Sequence, residues 1–241
     1  SDVYKRQGEI FRASVPSGAS TGKYEAVELR DNNDNYNGKS VHNAVSNVND
    51  LIKNKIINKN FNSIYEFDNE ILNLDNTANK SNLGANAILA CSLSFIKCLA
   101  NNSNKSLYEF LLTDQEYILP CPLMNIINGG AHANNGLDIQ EFMIIPAGFK
   151  SFSDSLQAGV ETFLKLKELL NKKSYSTAVG DEGGFAPDLK TNEEALNLIL
   201  DSITLAGYEP GKNIFLALDV ASSELYNQGK YSYDNELLSS S

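Results

Sequence analysis

Thr177-Ala178-Val179-Gly180-Asp181-Glu182-Gly183-Gly184-Phe185-Ala186-Pro187 is a short extended run that breaks into a glycine turn carrying two acids. Glycines on both sides allow a tight turn and the close approach of a ligand. Taken alone, the string describes a polar turn and nothing more. What it means depends on the segments around it.

Those segments alternate. On the N-terminal side, residues 123–127 read as a strand running into Asn128-Gly129-Gly130, and residues 139–145 as a strand stopped by Pro146. Residues 152–170 have amphipathic helical periodicity, with Ser151 or Ser153 as N-cap. On the C-terminal side, Thr191 opens a helix with Glu194 as its capping-box partner, reaching Leu205 and stopping at Gly207. Residues 214–220 form another strand, ending near Asp219. Strands alternating with helices predict parallel strands joined by crossover helices. A closed eight-stranded barrel takes about 250 residues, and only about half of that follows Pro120, so the expectation is an incomplete β/α barrel.

The region before Pro120 has a different character. A short strand at 11–15 leads into the Ser/Gly loop Ser14 to Gly22, and helical patterns follow at 41–57, 64–72 and 84–99. The last is apolar nearly all round and is expected to be buried. The loop lacks the spacing of a Walker A motif and is either a lid or a linker. The expected division is an α+β cap over 1–115 and the barrel part over 116–241. Residues 1–7 look foreign to the domain.

The chain has 241 residues and a formal net charge of -10, which argues against nucleic acid or an anionic membrane as main partner. No apolar stretch is long enough to span a bilayer. Three cysteines without a Cys-x-x-Cys pair suit a reducing compartment, with Cys91 and Cys98 as core residues.

In α/β folds chemistry gathers at strand ends, which here carry Asn125, Asn128, Gln140, Glu141, Asp181, Glu182 and Asp219. Carboxylates on one rim repel unless a cation or shared proton relieves them, and hard oxygen donors suit Mg²⁺. Glu182, held beside other acids, is expected to have the raised pKa of a general acid. Glu141, inside an apolar strand, must be paired or protonated. Asp219 is equally readable as a metal ligand or a helix N-cap. His132, in a glycine loop, is expected to be exposed and available to an anionic substrate. His42 reads as a surface residue. Lys23 and Arg30 read as surface charge or phosphate contacts.

Five stretches in order resemble the enolase family, from about Gly8 to Tyr226. They are Ala13 to Gly22 with Tyr24 to Asp31, Asn125 to His132, Asp138 to Ile144, Val179 to Pro187, and Leu216 to Ala221. The bacterial type is nearest. The resemblance implies an α+β cap followed by an enolase-type β/α (TIM-like) barrel. It also implies reversible, Mg²⁺-dependent dehydration of 2-phosphoglycerate to phosphoenolpyruvate, in a family known for a Lys or His base with Mg²⁺ at an ene-diolate. By resemblance Glu182 is the acid that protonates the departing hydroxyl, and Glu141 supports it. Gln140 and His132 contact substrate, Asp219 is the first ligand of the main Mg²⁺, and Ser20 closes over substrate and binds a second Mg²⁺. A homodimer when full length, and a cytoplasmic location with possible display at the cell surface, are further implications.

Two other acidic ligands, the Lys base and the Arg, Ser and Lys that grip substrate have no counterpart among these residues. The chain alone is therefore expected to be inactive. The alternative, from another functional class, is a non-catalytic binding or scaffold protein derived from the family.

Overall fold

The computed structural model describes residues 2–6, 9–18, 21–112, 116–180, 182–234 and 236–239, with backbone only for 2–6. Ser20, expected to bind metal and substrate, lies outside the described residues, as does Asp181. The chain forms two compact units, Ser1–Tyr117 and Ile118–Ser241.

In the first unit, β1 (Asp2–Arg6) pairs antiparallel with β2 (Glu9–Ala13), so residues 2–6 of the stretch set apart in the sequence form one strand of this pair. The helix expected over 41–57 is built in three parts. They are α1 (His42–Ser46), a π-helical stretch (Asn47–Ile52) and α2 (Lys53–Ile56). Asp31 starts it by accepting from the backbone N–H of His42 and Asn43 and from the Ser40 hydroxyl. These bonds hold the Asp31 carboxyl below its usual range, the Ser40 bond most of all. Next come α3 (Ile64–Asp75), α4 (Ala85–Asn102) and α5 (Leu107–Leu111). Ser63 caps α3 by accepting from Glu66 N, while the Glu66 carboxylate reaches back to Asn62 N. Phe67 and Phe95 stack at 4.2 Å in a core shared with Ile52, Ile71, Leu83 and Cys91. Cys98 on α4 is buried as well.

The second unit is organised on a sheet of order β3-β4-β5, with β3 (Met124–Asn128), β4 (Glu141–Ile145) and β5 (Phe215–Asp219). Both pairings are antiparallel, which corrects the all-parallel expectation. Residues 129–140 carry no crossover helix, only the 3-10 turn Gly130–His132, and a parallel pair needs such a crossover. So β4 runs against β3 and β5, which share a direction. Phe185 bridges Ile127 in parallel, bringing the end of the glycine turn beside β3.

Helices α6 (Phe152–Lys172) and α7 (Asn192–Leu205) supply the other half of this core. Ser151 caps α6 and Thr191 caps α7, each accepting from the backbone N–H three residues on. Phe142, Ile144, Ile127, Leu166, Ile199 and Phe185 are buried together, with Phe163 stacked on Phe185 at 4.2 Å. After the short α8 (Ser222–Leu225), a meander of β6 (Tyr226–Asn227), β7 (Lys230–Tyr233) and β8 (Glu236–Leu238) follows. No sequence pattern announced the meander. The described residues of this unit contain two three-stranded sheets and no closed barrel.

Candidate active site

The register of the sheet places Asn128 of β3 opposite Glu141 of β4, and Glu141 opposite Asp219 of β5. Residues directly opposite one another share a face, so one row across the sheet carries an amide and two carboxylates. Glu141 is the first residue of β4, not its last. It reaches the same rim as the C-terminal ends of β3 and β5 only because β4 runs the other way.

The glycine turn brings the third acid. Gly180 N–H donates to Gly184 O at 2.9 Å and Gly183 N–H to Gly180 O at 3.1 Å, closing the turn around Glu182. The buried Asn128 fixes this turn: its Nδ2 donates to Gly184 O at 2.7 Å and its backbone N–H to Phe185 O at 2.8 Å. A Cβ on Gly180 would lie 2.5 Å from Asn128 Nδ2 and 3.0 Å from His132 O. The missing side chain is what lets three segments meet.

His132 is not exposed, contrary to the sequence reading. Its side chain is 3% accessible, because the turn Gly130–His132 folds the loop back onto the rim. Its Nδ1 lies 3.5 Å from Glu141 Oε1 and 3.7 Å from Glu182 Oε2, and neither ring nitrogen has a hydrogen-bond partner. Gln140 is buried, and its Nε2 lies 3.4 Å from Asp219 Oδ2. Asp219 is exposed. It also accepts from Ala221 N at 3.0 Å, closing the turn before α8. His42 is exposed, as expected. Arg30 is committed to Glu28 and to the carbonyl of Lys39.

Burial pushes the Glu141 carboxyl up to about 7, with the hydrogen bond and charge of Glu182 and the charge of Asp219 adding to the shift. Near neutrality Glu141 therefore keeps its proton in part. A carboxylic acid kept partly protonated at working pH is what general acid catalysis requires.

Uncompensated negative charge at the rim is also the condition under which a divalent cation binds. In kind, the carboxylate oxygens of Asp219 and its neighbours fit a hard cation such as Mg²⁺. The nearest grouped donors are a different set. Ligand atoms of His132, Glu141 and Glu182 all lie within 4.8 Å of one another.

Residues 1–111 match the family model of the enolase N-terminal domain, and residues 116–240 that of the enolase C-terminal TIM barrel domain. The chain belongs to the enolase family. The matches extend past the resembling motifs at both ends, covering the β1–β2 hairpin and the terminal meander. Within this enolase unit, Glu182, Glu141, His132, Gln140 and Asp219 come from four separate segments and meet at one rim.

The strand-end amide Asn128 is expected at the rim, but sequence reasoning assigned no role to Asn135 or Asn192, which hold the rim from behind. Asn135 Nδ2 donates to Asn128 O and Pro187 O, and Asn192 Oδ1 accepts from Asp138 N and Ile139 N. Asparagine is so frequent along this chain that composition hid them. The available signal was position, since each lies beside a glycine turn or at a helix start.

Proposed function

We propose that this chain carries the acid half of an enolase site, which performs the reversible, Mg²⁺-dependent dehydration of 2-phosphoglycerate to phosphoenolpyruvate. The observation that carries the reading is the row Asn128–Glu141–Asp219, with Glu182 folded onto it and Glu141 pushed up to about 7. Glu182 is the more accessible of the two glutamates, its side chain 35% exposed against 14% for Glu141. It is therefore the better placed to deliver a proton to a departing hydroxyl. Glu141, behind it, holds a proton in reserve that it can pass to Glu182. Gln140 orients Asp219 through its amide, and Asp219 is the residue that would hold Mg²⁺. When bound, that cation would supply the positive charge that stabilises an ene-diolate.

The reaction also needs a base to take the C2 proton and further acidic ligands for the metal. The family resemblance assigns neither to any of these residues. The 241-residue chain alone therefore turns over no substrate. The test is to incubate purified chain with 2-phosphoglycerate and Mg²⁺ and follow the absorbance of phosphoenolpyruvate. No product is expected. Sustained Mg²⁺-dependent turnover that survived Glu182→Gln would contradict both the acid role and the inactivity.

A further inference from the structure

We infer that Asn37 is a site of covalent self-modification, converted to isoaspartate through attack by the backbone nitrogen of Gly38. The sequence holds three Asn-Gly steps, Asn37-Gly38, Asn128-Gly129 and Asn135-Gly136. Glycine has no side chain to shield its own amide nitrogen, so all three are candidates by sequence. The structure separates them.

At Asn128 both reacting groups are held. The side chain is buried, its Nδ2 donates to Gly184 O at 2.7 Å, and Gly129 N–H donates to Gln140 O at 2.9 Å. At Asn135 the carboxamide is bonded at both ends, with Nδ2 donating to Asn128 O and Pro187 O, and Oδ1 accepting from Leu137 N. Reaction at either residue would first have to break these bonds and leave polar groups unsatisfied inside the fold, which is strongly disfavoured.

Asn37 is exposed, the most open of the three, and it sits in a strained loop. Tyr36 has φ 51°, Asn37 φ 53° and Gly38 φ 83°, three successive residues in the left-handed region. For a bulky residue such as Tyr36 that conformation is an outlier, and it persists only while the surrounding structure enforces it. Asn32 N–H donates to Gly38 O at 3.1 Å and Lys39 N–H to Tyr36 O at 3.1 Å. Asn32, Tyr36 and Lys39 are exposed, so water can replace these bonds as the loop opens. Asn37 must leave its ψ of 43° to bring Gly38 N against its own Cγ, and relief of the strain at Tyr36 favours that movement.

The step balances with water as the co-reactant. Gly38 N bonds to Asn37 Cγ, the Cγ–Nδ2 bond breaks, and ammonia leaves with the Gly38 proton, giving a cyclic imide. Water adding at Cγ returns aspartate. Water adding at the main-chain carbonyl leaves the chain running through Cβ and Cγ, which is isoaspartate. The modification stands apart from the proposed reaction, since it requires no turnover at the rim.

The test keeps the intact, folded chain at mildly alkaline pH in water enriched in ¹⁸O and then digests it with trypsin. Arg30 and Lys39 place Asn37 in the peptide 31–39. That peptide is expected to lose ammonia and take up one ¹⁸O, with fragmentation placing the change and the isoaspartyl linkage at 37. An isoaspartyl carboxyl methyltransferase should label the same peptide. Peptides carrying Asn128 and Asn135 stay unchanged in the folded chain and change when the incubation is repeated in urea. In Gly38→Ala, where a methyl shields the attacking nitrogen, the 31–39 product falls several-fold. A peptide 31–39 that stays intact in the folded chain, a change placed on Asn32, Asn33 or Asn35, or equal rates at Asn37 and the two protected asparagines would overturn the inference.

Discussion

The side-chain amide of Asn128 bonds Gly184 O on one side and Asn125 on the other, inside a space that any Cβ on Gly180 would enter. Two glycines of the turn do different work. Gly183 has φ +83° and open space around it, so its requirement is conformational. Gly180 is needed for close approach. Ala at 180 overpacks against a buried amide that is bonded on both sides, and overpacking of this kind costs ~1–3 kcal/mol. Chemical denaturation of Gly180→Ala should show a loss of that size. A loss near zero would mean that the Asn128 clamp yields easily. Their places at strand ends, together with the family resemblance, made Glu182, Glu141 and Asp219 candidates in the sequence. The burial of His132 was not legible, because a histidine among glycines carries no local mark of what the loop folds against.

At the level of elements, most strands and helices followed from periodicity and caps. Thr191 and Ser151 mark the starts of α7 and α6 by the rule that a hydroxyl accepts from the third backbone N–H. The direction of β4 is a different kind of fact. Its residues 141–145 are a largely apolar run, buried at 142–144, that reads the same whichever way the strand runs. Only the lack of a helix between Asn128 and Glu141 decides it. That direction matters chemically, because a parallel β4 would carry Glu141 to the opposite end of the sheet from Asp219. The meander over 226–238 was illegible for another reason: its strands are short and largely exposed, so no apolar pattern singles them out. Tyr233 packs against the core, and Asp234 N–H donates to Asp138 Oδ2 at 2.8 Å, which ties the meander to the segment that leads into β4.

Across the whole molecule, carboxylates pull stability in two directions as pH changes. Glu194 accepts from the Tyr175 hydroxyl and from Lys190 N, and these bonds hold its pKa down. It stabilises the fold above the ordinary carboxylate range and loses that contribution in acid. Glu141 has the opposite sign. Its folded value is about 7 against an ordinary 4.5, so its contribution is fully present below the ordinary value and is lost as pH rises through 7. The gap is worth at most ~3 kcal/mol. Urea unfolding of the chain and of Glu141→Gln between pH 4.5 and 7.5 should therefore diverge, with the variant's second unit losing less stability as pH rises. Parallel profiles would place the strain elsewhere. The most direct measurement is the titration itself, by ¹³C NMR of the intact chain labelled at glutamate carboxyls. One glutamate should titrate near pH 7. In Glu182→Gln its midpoint should fall yet stay above the ordinary value, because burial is the larger cause. Glutamates that all titrate near 4.5 would contradict the retained Glu141 proton on which the acid role of this rim rests.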